Sequence, residues 1–134
     1  KRGKQKEKKN DVEGALKEYE KALDVSPKNQ DIYETIAATQ EKLFDYEGAI
    51  TSYSDGVKIN PSSQLSYLLL EKRATLKAYL SDYRGVVDDL TLVVDSSPYF
   101  HYSLVYRLRK TARENLGDSH GVLEDNKMLQ KRIG

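Results

Sequence analysis

Residues 46–50, which read YEGAI, decide the fold because variants of this pentapeptide recur along the chain. It appears as VEGAL at 12–16, as YRGVV at 83–87 and, more weakly, as SHGVL at 119–123. The four central glycines are spaced by 34, 37 and 36 residues. Periods of roughly 20 to 50 residues are typical of arrays of supersecondary units. The sequence therefore predicts about four similar units in tandem.

Two other sets of residues keep the same period. Pro27, Pro61 and Pro98 are spaced by 34 and 37 residues, and each must end a helix because proline lacks the backbone N–H. A small residue precedes each of the first three pentapeptides, and these residues, Gly3, Ala37 and Ala74, repeat with the same spacings. Several motifs in one register make an accidental repeat improbable.

The apolar residues inside each unit follow a helical period. In 15–23 they fall at i, i+1, i+4, i+7 and i+8, which is one stripe of an α-helix. Breaks of two or three residues separate such stretches and force neighbouring helices to be antiparallel. Asn10 or Asp11, Asp45, Asp82 and Asp118 stand where an N-capping side chain is needed. We expect eight helices near 1–8, 11–25, 29–43, 46–59, 64–80, 83–95, 99–116 and 118–132.

The repeat resembles the tetratricopeptide repeat. In the second unit the resemblance is carried by Tyr33, Ile36, Ala37, residues 45–50, Tyr53 and Pro61. It implies an all-α protein, a right-handed α-α superhelix of about four antiparallel helix pairs. The chain would be one domain, 1–134, with units of roughly 1–29, 30–63, 64–100 and 101–134. Gly3 should lie two turns into its helix, so we expect a fragment of a longer chain.

The positions that match the family pattern have structural roles in it. Small residues let two helices approach closely, aromatic residues fill the space toward the next pair, and prolines end each unit. None of these residues performs chemistry. They are Gly3, Ala15, Tyr19, Ala22, Pro27, Ala37, Tyr46, Gly48, Ala49, Tyr53, Pro61, Ala74, Tyr83, Gly85 and Pro98.

The resemblance implies a non-catalytic scaffold that binds a peptide or protein in a concave groove. The first helix of each pair would line this groove with Glu34, Ala38, Glu41, Glu71, Lys72, Thr75, Tyr79, Arg107, Leu108 and Thr111. One subfamily clamps the C-terminal carboxylate of chaperones with asparagines. Here Ala38, Thr75 and Thr111 stand where asparagine is needed, so we expect no such clamp.

Two alternatives remain open. The first is a self-assembly module that pairs through its open terminal helix pair; across these readings we expect a monomer or weak homodimer. The second is an RNA-binding helical repeat, suggested by the basic residues at 1–9 and by a basic group near the fourth unit. That group combines Arg107, Arg109, Lys110 and Arg113 with Tyr99, Phe100, Tyr102 and Tyr106. Helical packing explains these aromatic residues more simply than base stacking does.

Composition excludes several classes of protein and site. The net charge is +1 and gives no overall attraction to nucleic acid or to anionic membranes. No apolar run is long enough to cross a bilayer. There is no cysteine, and His101 and His120 lack the additional ligands that a metal needs. We therefore expect no cofactor, no metal, no small-molecule substrate and no enzymatic activity. Cysteine content is compatible with cytosol or export; a cytoplasmic location is slightly favoured.

Units three and four are longer than the second unit. The third gains Gln64, Leu65 and Ser66, and the fourth gains residues near His101, in each case just before the first helix. Neither insertion contains proline or glycine. We expect both to lengthen the following helix and not to form a loop.

Overall fold

A computed structural model describes the backbone of residues 2–96 and 103–133 and the side chains of 11–96 and 103–131. Within these ranges it contains seven helices and no strand, which confirms the all-α prediction. Chain contacts divide it into two compact units, residues 1–61 and 62–134. The helices are α1 (Arg2–Val25), α2 (Gln30–Lys42), α3 (Tyr46–Ile59), α4 (Gln64–Tyr79), α5 (Tyr83–Ser96), α6 (Ser103–Leu116) and α7 (Ser119–Ile133).

Helix α1 differs from the sequence-based expectation. A break near Asn10 was predicted, but α1 continues through this position as one helix of 24 residues. Residues 1–10 read KRGKQKEKKN and offer no apolar side chain that could pack a separate helix back onto 11–25. Continuing the helix satisfies the backbone groups without such packing. The predicted N-cap at Asn10 or Asp11 is therefore wrong.

The other breaks inside helix pairs share one backbone geometry. Phe44, Ser81 and Gly117 occupy equivalent repeat positions and have positive φ angles of 60°, 62° and 73°. A left-handed residue after the last turn lets the following N–H groups bond back to the helix and stops it. The N–H of Asp45, for example, donates to the carbonyl of Gln40 at 2.9 Å. The turn tolerates non-glycine residues at two of three sites, at a cost of roughly 1–2 kcal/mol each.

An aspartate starts the second helix of each of these pairs. The Oδ1 atoms of Asp45, Asp82 and Asp118 accept hydrogen bonds from the backbone N–H three residues later, each at 3.0 Å. These acceptors satisfy N–H groups that the first turn of a helix leaves unpaired. Three of the four predicted N-caps are thus confirmed.

In residues 1–61 the core lies between α2 and α3. Helix α2 packs against α3, and Ile36 and Ala37 of α2 and Ala49 and Tyr53 of α3 are all buried. Helix α1 packs on α2. Its repeat-equivalent residues, Ala15, Tyr19 and Ala22, are only half-buried. The second repeat therefore has a closed core, whereas α1 has an apolar face that is only partly covered.

In residues 62–134 helix α5 packs against both α4 and α6, and α6 packs against α7. The core cluster contains Ala74, Val86, Leu90, Val105 and Ala112, all at most 2% exposed. Alanine at two of these positions lets the helix axes approach closely, and the branched side chains fill the space between them. Among the described residues no helix is long and apolar enough to cross a membrane.

The predicted lengthening of the third unit is confirmed. Helix α4 begins at Gln64 and has 16 residues, whereas α2 has 13. The Oγ of Ser63 accepts a hydrogen bond from the N–H of Ser66 at 3.0 Å and caps the helix start. The insertion is therefore helical. In the fourth unit the corresponding residues near His101 lie outside the described residues.

Candidate functional site

The predicted groove residues of α2 are spaced by three or four residues and therefore lie on one face of the helix. One of them forms a hydrogen bond with α3. Glu34, Ala38 and Glu41 are partly exposed. The buried Tyr53 hydroxyl donates a hydrogen bond to Oε2 of Glu41. Burial raises the pKa of Tyr53, and the hydrogen bond to Glu41 and the charges of Glu41 and Glu34 raise it further. Glu41 is therefore fixed by the core of its own helix pair.

The predicted groove residues of α4 differ in how far they are free to meet a ligand. Tyr79 is 71% exposed, and Thr75 is also exposed. The Thr75 hydroxyl donates to the carbonyl of Glu71 at 3.0 Å, so its proton is used within the helix. Burial raises the pKa of the Glu71 carboxyl group. Lys72 is half-buried. Tyr79 therefore presents an exposed aromatic ring on α4.

On α6 the predicted groove residues share one face. Arg107 and Thr111 are exposed, and Leu108 is half-buried against the core cluster. The structure brings Leu108 together with Thr75 and Tyr79 around an open cavity of about 360 Å³, which Ala78 also lines. Three of the ten predicted groove residues thus share one pocket. The positions of the others relative to a ligand stay a prediction.

The predicted repeat positions are buried to different degrees. Ala37, Ala49, Tyr53 and Ala74 are completely buried. Half-buried residues are Ala15, Tyr19, Ala22, Tyr46, Tyr83, Gly48 and Gly85, whereas Pro27 and Pro61 are exposed turn residues. The side-chain environment of Gly3 and the structure at Pro98 lie outside the described residues. The structural role of the repeat positions that are not fully buried stays a prediction.

Sequence reasoning missed a buried network of charges in the fourth repeat. The Nε of Arg109 donates to Oδ1 of Asp125 at 3.0 Å, and the Nη1 of Arg113 donates to Oδ2 of the same carboxylate at 3.1 Å. Asp125 is completely buried and Arg109 is 6% exposed. The Nη1 of Arg109 also donates to the hydroxyl of Thr91 at 3.2 Å. One carboxylate therefore holds two guanidinium groups inside the helix pair.

The third repeat contains the same network. The Nε of Arg73 donates to Oδ2 of Asp89 at 2.9 Å, and the Nζ of Lys77 lies 3.2 Å from the same oxygen. Asp89 is 2% exposed. The signal in the sequence was a cationic residue followed by a second cationic residue at i+4 and an aspartate at i+16. It occurs twice, 36 residues apart, but sequence analysis defined the repeat by its glycines, prolines, small residues and capping aspartates and did not use this pattern of charges.

The glycine of the pentapeptide makes this network possible. A Cβ atom at Gly121 would lie 2.6 Å from Cδ of Arg113, and one at Gly85 would lie 2.7 Å from Cδ of Lys77. The long cationic side chains therefore cross the second helix where it has no side chain. The Nη1 of Arg113 also donates to the carbonyl of Gly121 at 3.1 Å.

The burial of Arg109 removes part of the basic group that suggested nucleic-acid binding. Its guanidinium carbon lies 5.8 Å from the ring centre of Tyr106, and that ring is only 1% exposed. Neither side chain is available to stack on a base. Arg107 stays exposed. The aromatic residues at 99, 100 and 102 lie outside the described residues.

The pair His120 and Glu124 is an exposed contact on α7. The Nε2 of His120 lies 3.5 Å from Oε1 of Glu124, and both side chains are more than half exposed. No group of three or more candidate metal ligands occurs among the described residues. This pair therefore has the character of a surface contact.

Comparison with protein families identifies the second unit. Residues 30–63 match the family model described as Tetratricopeptide repeat. This segment covers helices α2 and α3, and its match to the family model confirms the resemblance. Comparison with curated proteins finds no match.

Comparison with solved structures extends the fold to the rest of the chain. A crystal structure of MamA aligns with a TM-score of 0.72 at 19% sequence identity. The alignment covers 95% of this chain and 71% of the MamA chain. The second TPR of Spaghetti (RPAP3), bound to an HSP90 peptide, has a TM-score of 0.64 at 24% identity. That alignment covers 78% of this chain and 94% of the RPAP3 chain. The TPR2B domain of yeast Sti1, in a pHsp70 complex, has a TM-score of 0.52 at 19% identity. That alignment covers 96% of this chain and 88% of the Sti1 chain. At these identities the likeness shows the fold alone.

Proposed function

We propose that this chain is a non-catalytic scaffold that binds a peptide segment of another protein along the first helices of its pairs. The observation that carries the proposal is the cavity formed by Thr75, Tyr79 and Leu108 on α4 and α6. Tyr79 is 71% exposed, and Leu104, one turn before Leu108, is 62% exposed. Tyrosine is among the side chains that most often anchor protein interfaces, so Tyr79 is the candidate anchor.

The fold and its relatives support a peptide as the ligand. Of the similar structures, RPAP3 is bound to an HSP90 peptide and Sti1 to pHsp70. In this chain the pocket is mainly apolar, and Arg107 supplies a charge on the same face of α6. We therefore propose that an apolar side chain of the partner enters the pocket. The missing asparagines at Ala38, Thr75 and Thr111 argue against a ligand held only by its terminal carboxylate.

The proposal is tested by selecting peptides from a displayed random library and measuring their affinity by calorimetry. Tyr79→Ala should weaken binding by about ten-fold or more, because it removes the exposed wall of the pocket. Leu123→Ala is the matched control, since Leu123 is 58% exposed on α7 and does not line this pocket. Equal affinity of Tyr79→Ala, Arg107→Glu and the unaltered chain would place the ligand elsewhere.

Sedimentation at two protein concentrations distinguishes this proposal from self-assembly. We expect a monomer at both concentrations. A concentration-dependent increase in mass that Tyr79→Ala abolishes would assign the pocket to contacts between copies of the chain.

A further inference from the structure

Helix α1 corresponds to the second helix of a pair. Its Gly14 stands where α3, α5 and α7 have the glycine of the pentapeptide. In each of those three pairs the preceding helix, α2, α4 or α6, packs against the helix that contains the glycine. Residues 2–10 instead continue α1 itself and do not fold back over 11–25. One face of α1 is therefore open at the position where the other pairs have their first helix.

The residues on this open face are more exposed than their counterparts in the other pairs. The side chain of Glu18 is 73% exposed, whereas those of Asp89 and Asp125, at the same repeat position, are at most 2% exposed. A Cβ atom at Gly14 would meet no atom within 4 Å. The apolar part of the open face is half-buried and consists of Ala15, Tyr19 and Ala22.

The open face of α1 is also acidic. Asp11 and Glu18 are seven residues apart, which is about two turns, so they lie on the same side of the helix, and both are exposed. The Nζ of Lys21 lies 3.7 Å from Oε1 of Glu18, and both of these side chains are largely exposed. Exposed pairs of this kind contribute little, so Lys21 does not hold Glu18 in place.

The third and fourth pairs show which kind of helix fits such a face. In α4, Arg73 and Lys77 pair with the aspartate of the next helix, and the buried Leu69 and Leu70 precede them. The same spacing recurs in α6 with Val105, Tyr106, Arg109 and Arg113. The first helix of a charged pair thus has two adjacent apolar residues, a cation three residues after the second of them and another cation four residues later.

The segment 2–9 supplies only half of this pattern. Arg2 and Lys6 precede Glu18 by sixteen and twelve residues, as the cations of α4 and α6 precede their aspartates. In one continuous helix sixteen residues span about 24 Å, so the backbone at residue 2 is far from residue 18. Residues 1–9 include no apolar side chain, so the same segment of a second copy would bring the charges without the apolar contacts. A helix that has both features fits the open face better.

We propose that the open face of α1 binds an amphipathic basic helix of a partner protein, which lies antiparallel to 11–25 and completes the first repeat. One cation of this helix pairs with Glu18, and the second crosses Gly14 to reach the same carboxylate. The two adjacent apolar residues of the partner helix cover Tyr19 and Ala22, as in other complexes in which a helix buries its apolar face. This surface is separate from the pocket that Tyr79 lines.

The test is an NMR titration of the whole chain with a synthetic alanine-rich helical peptide that has two leucines and two arginines in this spacing. The backbone amide signals of 11–23 should move. A second peptide, with glutamine in place of both arginines, should bind about ten-fold more weakly, because it cannot pair with the carboxylate. If the signals of 11–23 do not move, or if both peptides bind equally, the proposal is wrong.

Variants of α1 make the test specific. Glu18→Gln should weaken binding of the arginine peptide by about ten-fold. Gly14→Leu should weaken it at least as much, because a side chain there blocks the crossing cation, and circular dichroism checks that the fold is unchanged. Glu20→Gln is the matched control, since Glu20 is exposed, has the same charge and lies roughly 200° around the helix from Glu18. An equal loss in the control would overturn the site.

Two further measurements separate this inference from its alternatives. Tyr79→Ala should leave binding of the arginine peptide unchanged, whereas it weakens the ligands of the proposed function. Sedimentation of the chain without peptide should show no self-association through α1. An increase in mass with concentration that Gly14→Leu abolishes would assign the open face to a second copy and overturn the choice of a partner protein.

Discussion

In the second repeat, Ile36, Gln40 and Ser52 occupy the positions that Arg109, Arg113 and Asp125 occupy in the fourth. The hydroxyl of Ser52 donates to Oε1 of Gln40 at 2.6 Å, so at these positions the second repeat bridges its two helices with a neutral hydrogen bond. The fourth bridges them with a buried carboxylate between two guanidinium groups. The same backbone therefore accepts a neutral or a charged bridge.

The two bridges differ in what happens when one member is lost. A neutral pair that loses a partner leaves one dipole unsatisfied, at roughly 1–3 kcal/mol. A buried ion pair that loses its anion leaves positive charge in a medium that solvates it poorly, at roughly 3–5 kcal/mol. We therefore expect the second repeat to tolerate variation at these positions better than the third and fourth repeats do. The predictions below test this difference.

The largest effect is expected for Asp125→Asn. It preserves shape but leaves Arg109 and Arg113 without their shared counter-charge, so the free energy of unfolding should fall by roughly 3–5 kcal/mol. Chemical denaturation followed by circular dichroism measures it. Asp88→Asn is the matched control, because Asp88 is exposed on α5 and should change stability by less than about 0.5 kcal/mol. Similar losses in both variants would mean that the buried network contributes nothing specific.

Substitution of the repeat glycines should give the next largest effect. Gly121→Ala places a Cβ atom 2.6 Å from Cδ of Arg113, whereas at Gly48 the nearest atoms all belong to the Asp45 side chain. We expect Gly121→Ala to cost roughly 1–2 kcal/mol more than Gly48→Ala, because it also displaces Arg113 from Asp125. Gly14→Ala meets no atom within 4 Å and should stabilise α1 by up to about 1 kcal/mol. Thermal melts of the three variants rank them.

Placing the neutral residues of the second repeat, Ile36, Gln40 and Ser52, at the equivalent positions of the third should change the free energy of unfolding little. The triple variant Arg73→Ile, Lys77→Gln and Asp89→Ser removes all three charges together, so no charge is left unpaired. The free energy of unfolding should stay within about 1 kcal/mol or rise, as is common when buried ion pairs are replaced as a set. Asp89→Ser alone should be clearly less stable. A triple variant less stable than the single one would show that the charged bridge itself stabilises the repeat.

The smallest effect concerns Glu71 on α4. Because burial raises its pKa, the folded state binds the proton more tightly than the unfolded state does. Its stabilising contribution is complete below the ordinary value of 4.5 and is lost as the pH rises through the folded-state pKa. Glu71→Gln should therefore raise the melting temperature slightly at pH 7, by roughly 1 °C, and not at acidic pH. An equal shift at both pH values would exclude ionisation as the cause.

Sequence analysis predicted the helices well wherever turn chemistry repeated. The bounds of α2 to α5 agree with the expected ranges to within one residue, because Asp45 and Asp82 cap the second helices at the expected places. The predicted break at Asn10 was wrong. A capping residue is present there, but residues 1–10 have no apolar side chains with which a separate helix could pack onto 11–25. A cap alone does not end a helix, since most helical stability comes from tertiary packing.

Of the candidate site, sequence analysis named groove residues on α4 and α6, and their role in binding stays a prediction. It did not predict that Thr75, Tyr79 and Leu108 share one pocket, because residues on different helices meet only after packing. It also misread Arg109 as part of an exposed basic group. The partner of Arg109 lies sixteen residues away in sequence, on the next helix, where local charge patterns do not indicate it.

The period of glycine, proline and small residues determined the helical repeat by itself, because these residues act through backbone rules that are local and repeat with each unit. The pairing of long side chains was decided by tertiary structure alone. Four cationic side chains that local sequence would place at the surface instead form ion pairs with a buried aspartate of the next helix. They are Arg73 and Lys77 with Asp89, and Arg109 and Arg113 with Asp125. The difference is physical: backbone conformation depends on neighbours in sequence, whereas the cost of burying a charge depends on what folding brings beside it.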